Sequence, residues 1–164
     1  MNSKSVLAFL MLFPFYAFAK VSISFEKPKT HQYQAIYNYL KASSAPNLKD
    51  LVSSVNQQFE LDMNIKIIVT ECGNNSSRFS VDESKIYICY ETIWMKISEL
   101  SKIDTKHSTF PTILYATSFT LLHEIGHVMV FELNLADPEE KDLHEQLADE
   151  FAMICLLVDD SLRS

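Results

Sequence analysis

A His-Glu-x-x-His motif inside a long apolar segment constrains this chain more than any other feature. The motif covers residues 123–127 (HEIGH), and apolar residues at helical spacing surround it from about Phe110 to Leu133. A segment that is apolar on nearly all sides predicts a buried helix. Because positions four residues apart share one face of a helix, the imidazoles of His123 and His127 should lie one turn apart and could bind one metal ion.

Two other interpretations of this segment are weaker. A buried helix that left two His and one Glu without partners would lose roughly several kcal/mol of stability. The segment is also just long enough to span a membrane, but the ionisable groups at its centre argue against that. The pattern therefore favours a tetrahedral zinc site, with Glu124 placed as the general base that takes a proton from a zinc-bound water.

A second helix is predicted from about Pro138 to Val158. Asp137 is a good N-cap, Pro138 suits the first helical position, and Glu140 stands where a capping box requires an acid. The main apolar stripe of this helix is predicted at Leu143, Leu147, Phe151, Ile154 and Val158.

Two acids, Glu145 and Asp149, lie on the opposite side of this second helix, where they share a face with Ala148 and Ala152. Acids on a face lined by small residues predict a buried contact with another helix. Glu145 is the predicted third zinc ligand, which leaves the fourth position for water. Asp149 would accept a hydrogen bond from the far nitrogen of a zinc-bound His, and His123 is the first candidate. The alternative is that both acids are solvated surface charges.

HExxH followed on the next helix by Glu-x-x-x-Asp is similar to the gluzincin, or thermolysin-like, metallopeptidases. The chain more closely resembles a bacterial family regarded as metallopeptidases, over roughly residues 65 to 155. Four short motifs carry this resemblance: residues 71–73 (ECG), 89–91 (CYE), 123–127 (HEIGH) and 145–149 (EQLAD). The resemblance implies a zincin-like fold and zinc-dependent hydrolysis of peptide or protein substrates.

The resemblance also implies two further expectations. Family members continue beyond the second motif helix, so the single domain expected over residues 20–164 would lack a C-terminal part. An edge strand near the zinc binds peptide by strand addition in such enzymes, and residues 76–80 are the candidate, with an ordinary hairpin connection as the alternative. Two other functions stay open: a non-catalytic zinc-containing binding protein, and a non-peptidase zinc amidase that acts on cell-wall peptides.

The N-terminus predicts a secretory signal peptide over residues 1–19. Lys4 supplies the positive charge, Val6 to Phe18 is the apolar region, and Ala17-Phe18-Ala19 is a small-x-small cleavage site. The expected location is therefore secreted or periplasmic, with no stable membrane association after cleavage. An uncleaved anchor is the alternative.

Export permits disulfide bonds, and Cys72 and Cys89 bracket a predicted hairpin, which makes them the natural pair. Metal ligation by these two cysteines is the alternative, whereas Cys155 is expected to be a buried free thiol. The formal net charge of −7 gives no basis for binding nucleic acid.

The remaining pattern predicts an α+β arrangement of helices, a small β-sheet and the two motif helices. Gly126 within a helix costs about 1 kcal/mol relative to Ala, so close approach of another backbone is expected there. Five residues could stabilise an oxyanion but none is assigned: Tyr90, Glu91, His107, Tyr115 and His144. The other predicted elements are helices at His31–Ala42, Leu48–Leu61 and Thr92–Ile103, and strands at Ile65–Thr70, Ser76–Val81 and Ser84–Tyr90.

Overall fold

The computed structural model of the chain describes residues 20–42, 48–74, 76–103 and 109–158. Within these ranges a small sheet is combined with helices on either side of it in sequence, so the predicted α+β class is confirmed. In chain order the elements are β1 (Ser22–Phe25), a short 3₁₀ helix (His31–Tyr33), α1 (Gln34–Lys41), α2 (Leu48–Gln58), β2 (Lys66–Thr70), β3 (Arg78–Ser80), β4 (Lys85–Cys89), α3 (Tyr90–Ile103), α4 (Thr109–Glu132) and α5 (Lys141–Val158).

The sheet has the strand order β1-β2-β4-β3 among the described residues. Strands β1 and β2 are parallel, as are β2 and β4, whereas β3 and β4 form an antiparallel hairpin. Ile67 pairs with Ile86 and Val69 pairs with Ile88, and all four side chains are fully buried. These β-branched residues fit the pleated surface of a strand that is covered by helices. Strand β3 forms one edge of the sheet.

Strand β1 was not predicted from the sequence. Its signal was present, because Val21, Ile23 and Phe25 alternate with serines at the two-residue period of a half-buried strand. The segment follows directly after the predicted signal peptide, and an edge strand of four residues gives a short pattern. Its parallel pairing with β2 depends on contacts more than forty residues away in sequence, such as Ser22 with Lys66.

Helix α4 crosses the centre of the core, as its all-round apolar pattern predicted. Leu121, Leu122, Ile125 and Val128 are each no more than 1% exposed and belong to the same buried cluster as the inner face of the sheet. No helix in the described part of the chain combines the length and apolarity needed to cross a membrane.

Helices α4 and α5 touch backbone to backbone at Gly126. A Cβ atom at this position would lie 2.7 Å from Ala148 Cα and 3.0 Å from Ala148 O, so only glycine fits. Ala148 and Ala152 are fully buried. The close approach expected from an otherwise unfavourable helical glycine, and from the small residues of α5, is therefore confirmed.

The predicted apolar stripe of α5 was wrong in part. Leu143, Ile154 and Val158 are 36%, 61% and 71% exposed, whereas Leu147 and Phe151 are partly buried. The physical reason is the contact at Gly126: only a face of small residues lets the two backbones approach so closely. The alanine face of α5 therefore turns toward α4, and most of the larger apolar side chains lie on the remaining faces.

Helix α5 begins at Lys141, three residues after the predicted start, because residues 137–140 form a turn. Asp137 and Glu140 precede the helix, so the predicted N-cap at Asp137 was wrong, although the two segments of this turn are joined by side-chain hydrogen bonds. The backbone N–H of Glu139 donates to Asp137 Oδ1 at 2.9 Å, and the N–H of Asp137 donates to Glu140 Oε2 at 3.3 Å.

Candidate metal centre

The two histidines of the motif lie on consecutive turns of α4 and point to the same place. Their Nε2 atoms are 3.1 Å apart, and the rings are nearly perpendicular with centroids 4.7 Å apart. The side chains of His123 and His127 are only 17% and 18% exposed. The helical spacing of the two histidines, with residues 124–126 between them buried in the core, is sufficient to produce this geometry.

Glu145 reaches the histidine pair from α5. Its Oε2 atom is 3.4 Å from His123 Nε2, and its Oε1 atom is 3.6 Å from His127 Nε2. One ligand atom from each of the three residues lies within 4.8 Å of the other two. Two imidazole nitrogens and a carboxylate oxygen are a donor set that fits a zinc ion with an open coordination position.

The side chains of Glu145 and Asp149 are less buried than the sequence predicted. The side chains of Glu145 and Asp149 are 65% and 58% exposed, although Ala148 between them is fully buried. The helices touch along the alanine line, and the acids extend from that line into an open cleft. Exposure of this kind leaves Glu145 free to meet both a metal ion and solvent.

Asp149 holds His123 in one tautomer. Asp149 Oδ1 lies 2.8 Å from His123 Nδ1, and an ionised carboxylate can only accept, so the Nδ1–H of His123 donates this bond. In the neutral ring the Nε2 lone pair then faces His127 and Glu145, which is the orientation that a metal ligand needs. The structure thus places Asp149 against the histidine expected from the sequence.

The environment also keeps His127 in the neutral form that can bind metal. Burial is the largest cause that lowers the pKa of His127, and the neighbouring His123 lowers it further, against an opposing effect of Glu145. A neutral imidazole offers a lone pair, whereas an imidazolium does not.

Glu124 is buried beside this group and does not join it. Its side chain is 4% exposed, and burial, reinforced by the charge of Glu145, raises its pKa to about 8. The backbone N–H of Phe79 on β3 donates a hydrogen bond to its carboxyl group. A carboxyl group whose pKa lies near neutrality can both accept and release a proton, as general acid–base catalysis requires.

A cleft of about 740 Å³ opens in front of these residues. Residues 76–79 with Val81 form one wall, and Thr92, Met95 and Lys96 from α3 continue it. The opposite wall is made by α4 and α5 and carries the two histidines, Glu124, Glu145 and Asp149. Residues 76–79 of the candidate edge strand predicted over residues 76–80 therefore border the candidate metal centre.

A disulfide bond and the buried carboxylate of Glu91 stabilise the strand wall. Cys72 and Cys89 are linked, as predicted from the hairpin, and Cys155 is a partly buried thiol outside the disulfide. The carboxylate of Glu91 accepts hydrogen bonds from the N–H groups of Cys72 (3.2 Å) and Gly73 (2.8 Å). Because Cys72 and Cys89 form a disulfide, they are not available as metal ligands, which removes that alternative. Glu91 has a structural role.

The unassigned oxyanion candidates fall in different places. Tyr90 is fully buried and donates its hydroxyl hydrogen bond to Glu26 O. Tyr115 is 52% exposed on α4, and His144 borders the cleft, where its Nε2 atom lies 3.1 Å from Asp137 O. His107 lies outside the described residues.

Lys96 and Phe119 border the cleft but were not singled out from the sequence. Thr92, Met95 and Lys96 have the three- and four-residue spacing of one helix face, which is the signal that could have indicated a shared surface on α3. Phe119 lies one turn before His123 on α4, and its ring stacks on the His123 ring with centroids 6.3 Å apart.

An α+β fold in which a His-His-Glu group and a buried acid meet beside an edge strand is consistent with the fold of a small zincin-like metallopeptidase. A family model described as "Putative metallopeptidase" matches residues 25–163, and the chain therefore belongs to that family. No curated protein and no solved structure matched the chain.

Proposed function

We propose that this chain is a zinc-dependent peptidase in which one ion is held by His123, His127 and Glu145. The observation that carries the proposal is the convergence of these three side chains within 4.8 Å, directly beside a buried carboxyl group. Family membership supports a metal-dependent peptidase, and the donor set favours zinc in particular. A zinc ion bound there supplies a Lewis acid that polarises the scissile carbonyl and activates water.

Glu124 is the proposed general base. It accepts a proton from the attacking water and passes it to the leaving amine. Its burial supports this role, because a carboxylate in a low-dielectric site holds a proton more tightly than one in water. Its position between the ligands on α4 supports the role as well, since Glu124 lies one residue from His123 yet is not among the three converging ligands.

The edge strand β3 is the proposed track for the substrate backbone. Strand β3 borders the cleft, and the Phe79 N–H already points to Glu124 rather than to β4. A peptide in extended conformation can add to such an edge through main-chain hydrogen bonds, which recognise any sequence. This arrangement would place a peptide bond between the strand wall and the histidines.

A secreted or periplasmic location is part of the proposal. The signal-like sequence at residues 1–19 and the Cys72–Cys89 disulfide both support it, because disulfide bonds persist in oxidising compartments.

Elemental analysis of the purified protein tests the metal site. We expect one zinc per chain in the wild type and strong loss of zinc in His123→Ala, His127→Ala and Glu145→Ala. Lys85→Ala, which changes a surface residue paired with Glu83, is the matched control. Full zinc content in Glu145→Ala would remove Glu145 from the ligand set.

Turnover of peptides tests the chemistry separately. Glu124→Gln should keep its zinc but lose hydrolysis by a factor of roughly 10²–10⁴, the usual contribution of a general base. A protein that binds peptides equally well in both forms, without cleavage by the wild type, would be a binding protein instead. Cleavage of cell-wall amides but of no ordinary peptide would identify an amidase.

A further inference from the structure

Lys96 is a cationic residue on the α3 wall of the cleft that the chemistry proposed above does not use. Its side chain is partly buried and borders the same cleft as the two histidines and Glu124. Thr92 and Met95 flank it on the same helix face and also border the cleft. A ligand that enters the cleft therefore meets the Lys96 side chain.

An aromatic ring fixes the position of this cation. Lys96 Nζ lies 4.6 Å from the centre of the Phe119 ring, and that ring stacks on His123 with centroids 6.3 Å apart. A cation over a ring face is held by the ring quadrupole and by contact with the aliphatic stem. Because one ring separates Lys96 from the metal ligands, its ammonium group is out of direct contact with the ligand set. It is nevertheless close enough to meet a neighbouring part of the same substrate.

Lys96 has no carboxylate within 4.0 Å among the residues that the structure describes. Lys85 on β4, by comparison, pairs with Glu83 at 2.9 Å.

We propose that Lys96 binds a carboxylate of the substrate next to the scissile bond, so that the cleft selects peptides that carry a carboxylate at that position. The proposal rests on the peptidase function above and names its substrate class. An ammonium group that is pre-positioned in a partly buried cleft gains more from a carboxylate than an exposed lysine does, because solvent screens the pair less. The carboxylate can come from a Glu or Asp side chain or from a free C-terminus.

Equilibrium binding tests this without turnover. Dansylated alanine hexapeptides carry a single Glu, or a Gln in its place, at each position in turn, and each is made with a free and with an amidated C-terminus. Their binding to the zinc-loaded Glu124→Gln protein is measured by fluorescence anisotropy. We expect one Glu position, or the free terminus, to bind about tenfold more tightly than its neutral counterpart.

Variants at Lys96 assign this preference to the residue. Lys96→Met and Lys96→Gln should bring the carboxylate-to-neutral affinity ratio close to one, whereas Lys96→Arg should retain most of it. Lys85→Met is the matched control and should keep the full ratio. Circular dichroism and zinc content confirm that each variant is folded and loaded.

Each outcome has a defined meaning. A Glu-dependent preference identifies a side-chain site, and a terminus-dependent preference identifies a C-terminal carboxylate site. A ratio near one in the Lys96 protein, an unchanged ratio in both neutral variants, or no binding of any peptide overturns the inference. If the preference depends on Lys96 but the wild-type protein cleaves none of the peptides, the carboxylate site stands and the peptidase function fails. If neutral peptides are cleaved without any carboxylate preference, the peptidase function stands and the Lys96 inference fails.

Discussion

The two walls of the cleft are built in different ways. The helical wall, α4 and α5, carries the proposed ligands and the proposed base, and a backbone contact between Gly126 and Ala148 holds it together. The strand wall, residues 76–79 with Val81, follows a segment that is held by the Cys72–Cys89 disulfide and by the hydrogen bonds to Glu91. The helical wall carries the proposed catalytic groups, and the strand wall determines the shape of the cleft in front of them.

The difference between the two walls predicts which substitutions should change the stability of the protein without changing its metal binding. A change in the strand wall should lower the free energy of unfolding and leave the ligand geometry intact. A change at the helix contact should affect both, because the third ligand comes from α5 and the other two come from α4. The following experiments test that separation, from the largest expected effect to the smallest.

Removal of the disulfide should have the largest effect on stability. A loop of this length, with a sequence separation of 17 between the cysteines, predicts a loss of about 3 kcal/mol in a Cys72→Ser/Cys89→Ser double variant. We expect its zinc affinity to stay within about twofold of the wild type. Chemical denaturation and chelator competition measure the two quantities.

Thiol titration of the denatured wild type provides the control and should find one free thiol, that of Cys155. A tenfold fall in zinc affinity in the double variant would show that the two walls are coupled.

Gly126→Ala should damage both properties. Alanine gains about 1 kcal/mol of helix propensity, but a Cβ at 2.7 Å from a backbone atom forces the helices apart, and such overpacking costs about 1–3 kcal/mol or more. We expect a net loss of about 2 kcal/mol and zinc binding weakened at least tenfold, because α5 carries Glu145.

Gly73→Ala is the matched control for a glycine substitution. Gly73 has a φ of 75° and open space around it, so alanine there should cost about 1 kcal/mol of backbone strain without loss of zinc. Unchanged zinc affinity in Gly126→Ala would mean that α5 can move without loss of the ligand.

Asp149→Ala should weaken zinc binding by roughly 10–100-fold and leave the metal-free protein about as stable as the wild type. The reason is the 2.8 Å hydrogen bond that orients the His123 ring, in a side chain that is itself more than half exposed. Competition with a chelator measures the affinity. Glu150→Ala, on the same helix, is the control, and equal affinities for all three proteins would contradict the orienting role.

Glu124 should give the metal-free protein a pH-dependent stability. Its pKa is raised from 4.5 to about 8 in the folded state, mainly by burial. The folded state therefore binds more protons than the unfolded state, and this stabilisation is complete below about pH 4.5 and is lost as the pH rises to about 8. The loss is at most about 1.4 kcal/mol per pH unit.

Glu124→Gln removes this titration and is the test. With a chelator present, the thermal stability of wild type relative to Glu124→Gln should fall steadily from pH 5 to pH 8. A constant difference between the two proteins across that range would rule out a raised pKa at this position.

Local patterns in the sequence determined much of the helical wall. The histidine spacing, the helical glycine and the small residues of α5 each depend on the geometry of a single helix, and each has the predicted consequence in the structure. The same holds for the pair Cys72 and Cys89, because a short hairpin leaves few choices of partner. The roles of Glu124, Glu145 and Asp149 in catalysis and metal binding remain predictions.

Only the tertiary structure decided which surfaces face one another. Three features depend on contacts between distant segments. They are the parallel pairing of β1 with β2, the orientation of α5 that leaves Ile154 and Val158 exposed, and the position of Lys96 over Phe119. A helical period shows which residues share a face. It does not show which of two apolar faces packs inward, because that choice depends on how closely the backbones can approach. In this protein the contact of Gly126 with Ala148 determines which face of α5 packs inward, and therefore which residues of α5 line the cleft.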